Sequence, residues 1–205
     1  MSRAIEVLLF DLGGVLVDFG GAEGLAALLP EPLPLAEVEA RWQRCPHSLA
    51  FGSGTLDVDA FADAFMRDWG IGIPREAFLA EYRAWARGFL PGARELLEEL
   101  RPRYRLAALS NSNPLHWARL VDECGLASAF EVALSSHEVG WRKPAREMYQ
   151  AALDRLGVAP GAVLFLDDAP GNVAAAAAMG MQAAVAVGVD GVRRALAQFG
   201  VRSRN

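Results

Sequence analysis

The sequence predicts an α/β protein, a doubly wound parallel sheet carrying an inserted helical cap, on three observations. Five short aliphatic runs, at residues 5–10, 105–109, 130–134, 163–166 and 182–187, have the length and apolar content of strands buried on both faces. Each run after the first follows a segment of helical period, which is the βα alternation of a parallel sheet covered on both sides. Between Phe19 and Gly88 the strand signal disappears and helical periodicity takes over.

In chain order, Ile5, Val7, Leu8, Leu9 and Phe10 form a near-continuous apolar run that ends in Asp11 and the turn Leu12-Gly13-Gly14. In the cap, Leu25, Leu28 and Leu29 share one helical face, as do Phe61, Ala64, Phe65 and Met66 near Trp69. Asp57 can cap a helix beginning near Val58, and Pro74 suits the first turn of another that runs to about Arg87. Further helices are predicted over 93–100, 114–123, 144–156, 172–179 and 191–199, with Gly125, Gly157 and Gly180 at stopping positions. The alanine run at 174–178 reads as a helix packed closely on the sheet. The resulting division is a core of residues 1–18 and 89–205 and a cap of residues 19–88. An insertion that leaves just after Asp11 lies above the carboxyl ends of the strands, where such sheets bind ligands.

Composition narrows the function. The chain of 205 residues is 53% hydrophobic and 22% charged, which suits a compact fold, and its net charge of -5 comes without a basic block. A nucleic-acid partner is therefore disfavoured. One arginine, Arg3, precedes an apolar run that reaches Asp11 too soon for a signal peptide, and no stretch approaches a membrane span, so the expectation is a cytoplasmic protein. Cys45 and Cys124 lack metal or redox spacing and read as reduced thiols. The chain has no internal repeat, and a monomer or homodimer is expected.

Four places share one pattern, read as a strand ending in polar groups: Asp11, Ser110-Asn111, Lys143-Pro144 after Trp141-Arg142, and Asp167-Asp168. Parallel strands end on the same side of a sheet, so groups scattered in sequence can converge. Their carboxylates, hydroxyl, amide and ammonium suit a divalent cation and a phosphoryl group.

The stretches FDLGGVLVD, LSNSN, GWRKPAREMYQ and FLDDAPGN, in this order, resemble the four motifs of the haloacid dehalogenase superfamily. The details resemble sugar phosphatases of the α-glucose-1-phosphatase type and the phosphatase domain of epoxide hydrolases. The resemblance covers nearly the whole chain and implies a Rossmann-like core, an inserted helical cap, and a Mg²⁺-dependent phosphomonoesterase acting on a small phosphorylated metabolite. By that resemblance Asp11 is the nucleophile that forms an aspartyl-phosphate. Asp11, Asp168 and the Gly13 carbonyl hold Mg²⁺, with Asp167 and Asn172 supporting. Ser110, Asn111 and Lys143 hold phosphoryl oxygens, and Lys143 also keeps Asp11 ionised.

One position departs from the pattern. Most phosphatases of the superfamily carry, two residues after the nucleophile, an aspartate that protonates the leaving oxygen and later activates water; here that position is Gly13. General acid/base help is worth about 10² to 10⁴ in rate. Asp18 and His47 are the candidate substitutes, although Asp18 also reads as a turn or cap residue and His47 as a solvated loop histidine. His116 reads as a satisfied structural histidine. Trp69 and Trp85 fit a helical core, whereas Trp42, Phe51 and Trp141 are pocket candidates. Two rival functions remain: a metal-free haloacid dehalogenase, which the adjacent acids Asp167 and Asp168 oppose, and a noncatalytic binding protein.

Overall fold

A computed structural model describes residues 4–202; Arg3 and the outermost residues of the two core segments lie outside that range. A five-stranded parallel sheet is built from β1 (Val7–Phe10), β4 (Arg105–Ser110), β5 (Val132–Ser135), β6 (Val163–Asp167) and β7 (Gln182–Val185), in the order β5-β4-β1-β6-β7. The chain fills one side of β1 and then crosses to the other, so the topological switch lies at β1 itself, where open α/β sheets bind ligands.

Period-2 alternation divides the strands between two cores. Leu8, Phe10, Leu106, Ala108, Leu164 and Leu166 face one helical layer, and Val7, Leu9, Ala107, Leu109, Val163 and Phe165 face the other. Both faces of the sheet are covered, which is why the strands read as continuous apolar runs rather than alternating ones.

Two short strands, β2 (Val17–Phe19) and β3 (Ala86–Phe89), form an antiparallel ribbon, and between them lie α1 (Gly21–Leu28), α2 (Leu35–Gln43), α3 (Pro46–Gly52), α4 (Val58–Trp69) and α5 (Arg75–Ala84). Asp57 caps α4 by accepting from Ala60 N at 2.9 Å. The cap has its own core, with Phe51 stacked on Phe61 at 4.2 Å and Phe65, Phe78 and Tyr82 around them. The expected boundaries at 18/19 and 88/89 cut through the ribbon, and the last cap helix stops at Ala84 instead of near Arg87. Strands of three and four residues are too short to show a period, and Gly88, at φ +109, takes a backbone conformation open to glycine.

The core continues with α6 (Ala93–Leu100), α7 (Pro114–Asp122), α8 (Leu126–Ala129), α9 (Ser136–Val139), α10 (Arg146–Leu156), α11 (Pro170–Ala178) and α12 (Gly188–Gln198). The short α8 and α9 carry too few residues for a periodic signal, and so escape sequence reading. Cys45 is buried in the cap and Cys124 is half-buried against the main core, both as free thiols. Among the described residues, no helix is long and apolar enough to cross a membrane.

Candidate active site

Parallel register brings the acids together. Phe10 pairs with Ala108 on one side and Leu166 on the other, so the next residues, Asp11, Leu109 and Asp167, stand level at the strand ends. Asp11 N donates to Leu166 O at 2.8 Å, which extends the ladder one step beyond β1. Carboxylate oxygens of Asp11, Asp167 and Asp168 all lie within 4.8 Å of one another.

Lys143 sits between two of these acids. Its Nζ is 2.7 Å from Asp11 Oδ1 and 2.7 Å from Asp167 Oδ2, and the residue is buried. Burial is the largest influence on the Asp11 carboxyl, which is pushed up to about 6 although the Lys143 ammonium pulls it down. Asp167 is fully saturated. Its Oδ1 accepts from Ala169 N and Asn172 Nδ2, both at 2.9 Å, and its Oδ2 also takes a longer bond from Asn172 Nδ2 at 3.1 Å. Tyr149 Oη in turn donates to Asn172 O at 2.9 Å, which fixes the start of α11.

Lys143 does not end a strand, as its sequence context suggested. It lies in the loop after α9, and Asn111 holds it there: Asn111 Nδ2 donates to Lys143 O at 2.9 Å and Lys143 N donates to Asn111 Oδ1 at 2.8 Å. The amide oxygen and one amide N–H of Asn111 are thus spent on the Lys143 backbone, which leaves its second N–H for the phosphoryl-binding role expected of it. Ser110 is different: the residue is largely buried at the end of β4, and its hydroxyl has no hydrogen-bond partner among the described residues.

The glycine turn is built to fit a ligand. Val17 N donates to Leu12 O and Gly14 N to Val17 O, which leaves the intervening Gly13 carbonyl without a hydrogen bond among the described residues. A Cβ at Gly14 would fall 2.8 Å from Asp168 Oδ2, and its φ of +73 excludes most other residues. Three carboxylates meet one ammonium here, and Asp168 is raised by burial first and by Asp167 next. That surplus of negative charge, with a free carbonyl beside it, fits a hard divalent cation bound by oxygen. Asp11, Asp168 and Gly13 have unspent oxygens for it, whereas Asp167 does not.

A cavity of about 370 Å³ opens between cap and core; none of the three acids, Lys143 or Ser110 lines it, and it meets their centre through Asn111, which is bonded to the Lys143 backbone. Phe19, Trp42 and Tyr82 form an aromatic wall, and Asn111, Ser112, Asn113 and Arg142 form the polar side. A larger opening of about 830 Å³ runs past Pro144, Gln150 and Met179 and contains none of the converged groups. Ser136, unmarked in the sequence, ties the two units: its Oγ accepts from Ser112 N at 3.0 Å and donates to the cap carbonyl of Gly52.

Neither candidate for the missing proton carrier lines the cavity. Asp18 pairs with Arg87 across the ribbon at 3.5 Å, and His47 pairs with Asp68 within the cap at 2.8 Å. Trp42 lines the cavity, but Phe51 is buried in the cap core and Trp141 is exposed outside it. Trp69 and Trp85 are both buried in the cap core.

His116 is a structural clip between α7 and α5. Its Nε2 donates to Tyr82 O at 2.7 Å, its Nδ1 accepts from Asn113 Nδ2 at 2.8 Å, and the ring stacks on Tyr82 at 4.5 Å. Burial pushes it down to about 4 from an ordinary 6.5, so the folded protein keeps it neutral. The unfolded chain takes up that proton near 6.5 while the folded one waits until about 4. Stability is therefore full above the unfolded value and falls by about 3 kcal/mol as pH drops through this window. Urea unfolding of His116→Gln at pH 7.5 and pH 4.5 should show a smaller acid loss than the wild type. Equal losses would count against the clip.

Comparison with known proteins places these features in a family. A family model described as haloacid dehalogenase-like hydrolase matches residues 5–180. A phosphatase of Mycobacterium tuberculosis is 33% identical over 190 residues, covering 88% of this chain and 86% of that protein. D-ribitol-5-phosphate phosphatase of Bacteroides thetaiotaomicron is 28% identical over 185 residues, covering 82% of this chain and 85% of its own length. Among solved structures, a Bacteroides thetaiotaomicron enzyme of the same family in complex with magnesium and inorganic phosphate superposes with a TM-score of 0.76 at 23% identity, over 89% of this chain and 94% of its own.

Proposed function

The chain belongs to the haloacid dehalogenase-like hydrolase family, and on that premise we propose that it is a Mg²⁺-dependent phosphomonoesterase acting through Asp11 on a small phosphorylated metabolite, a sugar phosphate first of all. The observation that carries this reading is the buried Asp11 carboxylate, gripped by Lys143 and flanked by an unpartnered Ser110 hydroxyl and an acidic surplus. The named relatives support it, since two of them are phosphatases and one acts on a sugar-alcohol phosphate.

The steps follow from the residues. Lys143 fixes Asp11 Oδ1, which orients the carboxylate for attack on phosphorus. The new acyl-phosphate bond forms as the bond to the leaving oxygen breaks. Water then attacks the phosphorus of the aspartyl-phosphate, releasing inorganic phosphate and restoring the carboxylate. Ser110 Oγ donates to a phosphoryl oxygen, and Asn111 keeps the Lys143 loop in register. Asp11, Asp168 and the Gly13 carbonyl would hold Mg²⁺, which when bound would supply positive charge to offset repulsion between carboxylate and phosphate.

With glycine at 13, leaving oxygens that depart with little protonation are favoured, and an anomeric sugar oxygen is one. A Cβ at Gly13 would meet only Phe19 Cβ, at 3.9 Å, so an aspartate can be introduced there without a clash at the Cβ. Gly13→Asp should raise turnover of a sugar 6-phosphate by about 10² or more and that of the sugar 1-phosphate much less. An unchanged ratio between the two substrates would sink the leaving-group argument.

The direct test is a phosphate-release screen over sugar phosphates, nucleotides and an aryl phosphate, with Mg²⁺ and with chelator. Release that requires Mg²⁺ supports the reading. No phosphate release, together with halide release from 2-haloacids, would replace it with a dehalogenase. Silence in both assays would favour a binding protein.

A further inference from the structure

We propose that Arg142 recognises a second oxyanion on the substrate, so that among sugar phosphates and other small phosphomonoesters this site prefers those that carry a carboxylate or a further phosphoryl group beyond the one transferred. This rests on the phosphatase reading for the chemistry, but the recognition itself is a matter of binding.

Arg142 immediately precedes Lys143, yet the two cations have opposite circumstances. The Lys143 ammonium is already paired with Asp11 and Asp167, which take two of its three donors. The Arg142 guanidinium lines the cap–core cavity, is half-buried, and has no ion pair, hydrogen bond or ring contact among the described residues. Burial lowers its pKa, and its electrostatic neighbour is the Tyr82 phenol rather than a carboxylate. The cavity's two acids are engaged elsewhere: Glu23 lies 4.0 Å from Arg87, and Glu39 accepts from Gln43 at 3.2 Å.

The surroundings make room for this side chain and hold it in place. A Cβ at Gly52 would fall 2.1 Å from Arg142 Nη1, so the glycine at the end of α3 leaves the space that the guanidinium uses. The Asn111 clamp on the next residue's N–H and carbonyl fixes the loop from below. A half-buried guanidinium without an anion among the described residues, one residue before Lys143 and in the cavity that Asn111 also lines, presents a planar fork of donors suited to carboxylate or phosphate.

Non-hydrolysable pairs test this. Calorimetry with Mg²⁺ would compare 3-phosphonopropionate with propylphosphonate and 5-phosphonopentanoate with pentylphosphonate, and would add propane-1,3-bisphosphonate to separate a carboxylate from a second phosphoryl preference. In the wild type at least one doubly anionic ligand should bind tighter than its singly anionic mate by about 10-fold or more. That ratio should fall to near one in Arg142→Met and be partly kept in Arg142→Lys. A wild-type ratio near one for every pair, or a ratio unchanged in Arg142→Met, overturns the proposal; a merely structural arginine would weaken both ligands alike. If Arg142→Met does not fold, Arg142→Gln takes its place. The readout needs no turnover, so a protein that keeps the ratio yet releases phosphate from no substrate would overturn the phosphatase reading alone.

Discussion

Asp11→Asn should lower Mg²⁺-dependent phosphate release by at least about 10³-fold, the scale on which loss of a nucleophile acts. The amide keeps the shape of the carboxylate and an oxygen that can accept from Lys143, but it is too weak a nucleophile to form the acyl-phosphate bond. The fold should survive the change. Burial already pushes the Asp11 carboxyl up to about 6, so a neutral group suits this position, and Lys143 retains Asp167 as a partner at 2.7 Å. Steady-state assay of release, with circular dichroism as the check on folding, decides the matter. A folded Asp11→Asn with more than a tenth of wild-type activity would remove Asp11 from the role.

Lys143→Met should damage both stability and activity. The ammonium is shared by two buried carboxylates, and taking one partner out of a buried ion pair costs about 3 to 5 kcal/mol because a charge is left uncompensated. Most of that cost should appear near neutral pH, and it should shrink in acid as the Asp11 carboxyl, raised by burial, takes up a proton. The sign follows from linkage: burial raises the folded Asp11 carboxyl and Lys143 opposes that rise, so without Lys143 it is raised further and stability is lost as pH rises through its folded value. Phosphate release should fall by about 10² or more, since the carboxylate loses its orienting contact and the phosphoryl group its nearest cation. Urea unfolding at pH 5 and pH 7.5 measures the first effect. A variant as stable as wild type at pH 7.5 would show that the ammonium is not the charge partner described here.

The acids were legible in the sequence because each ends an apolar run, and the end of a strand is a local pattern. Asp11 and Asp167 needed only their own runs to be placed, and register then set them level. Lys143 was legible from its proline neighbour and motif context, but the strand assigned to it does not exist; a loop reaches the site after α9. The ribbon at Val17–Phe19 and Ala86–Phe89 escaped because its strands are too short for any period to emerge. The roles of Asn111, Ser136 and Arg142 escaped for another reason, since each depends on a group far along the chain or on the lack of one.

Sequence alone therefore establishes the α/β sheet, the helical insertion, the polar strand ends and the glycine at 13, because periodicity, polarity and turn chemistry are properties of neighbouring residues. Folding in three dimensions assigns the partners. Asn111 is bound to a backbone 32 residues away, Ser136 reaches 84 residues back to Gly52, and Arg142 meets no anion among the described residues. A side chain's chemistry is set by what lies within a few ångströms of it, and in this protein most of those neighbours come from other segments.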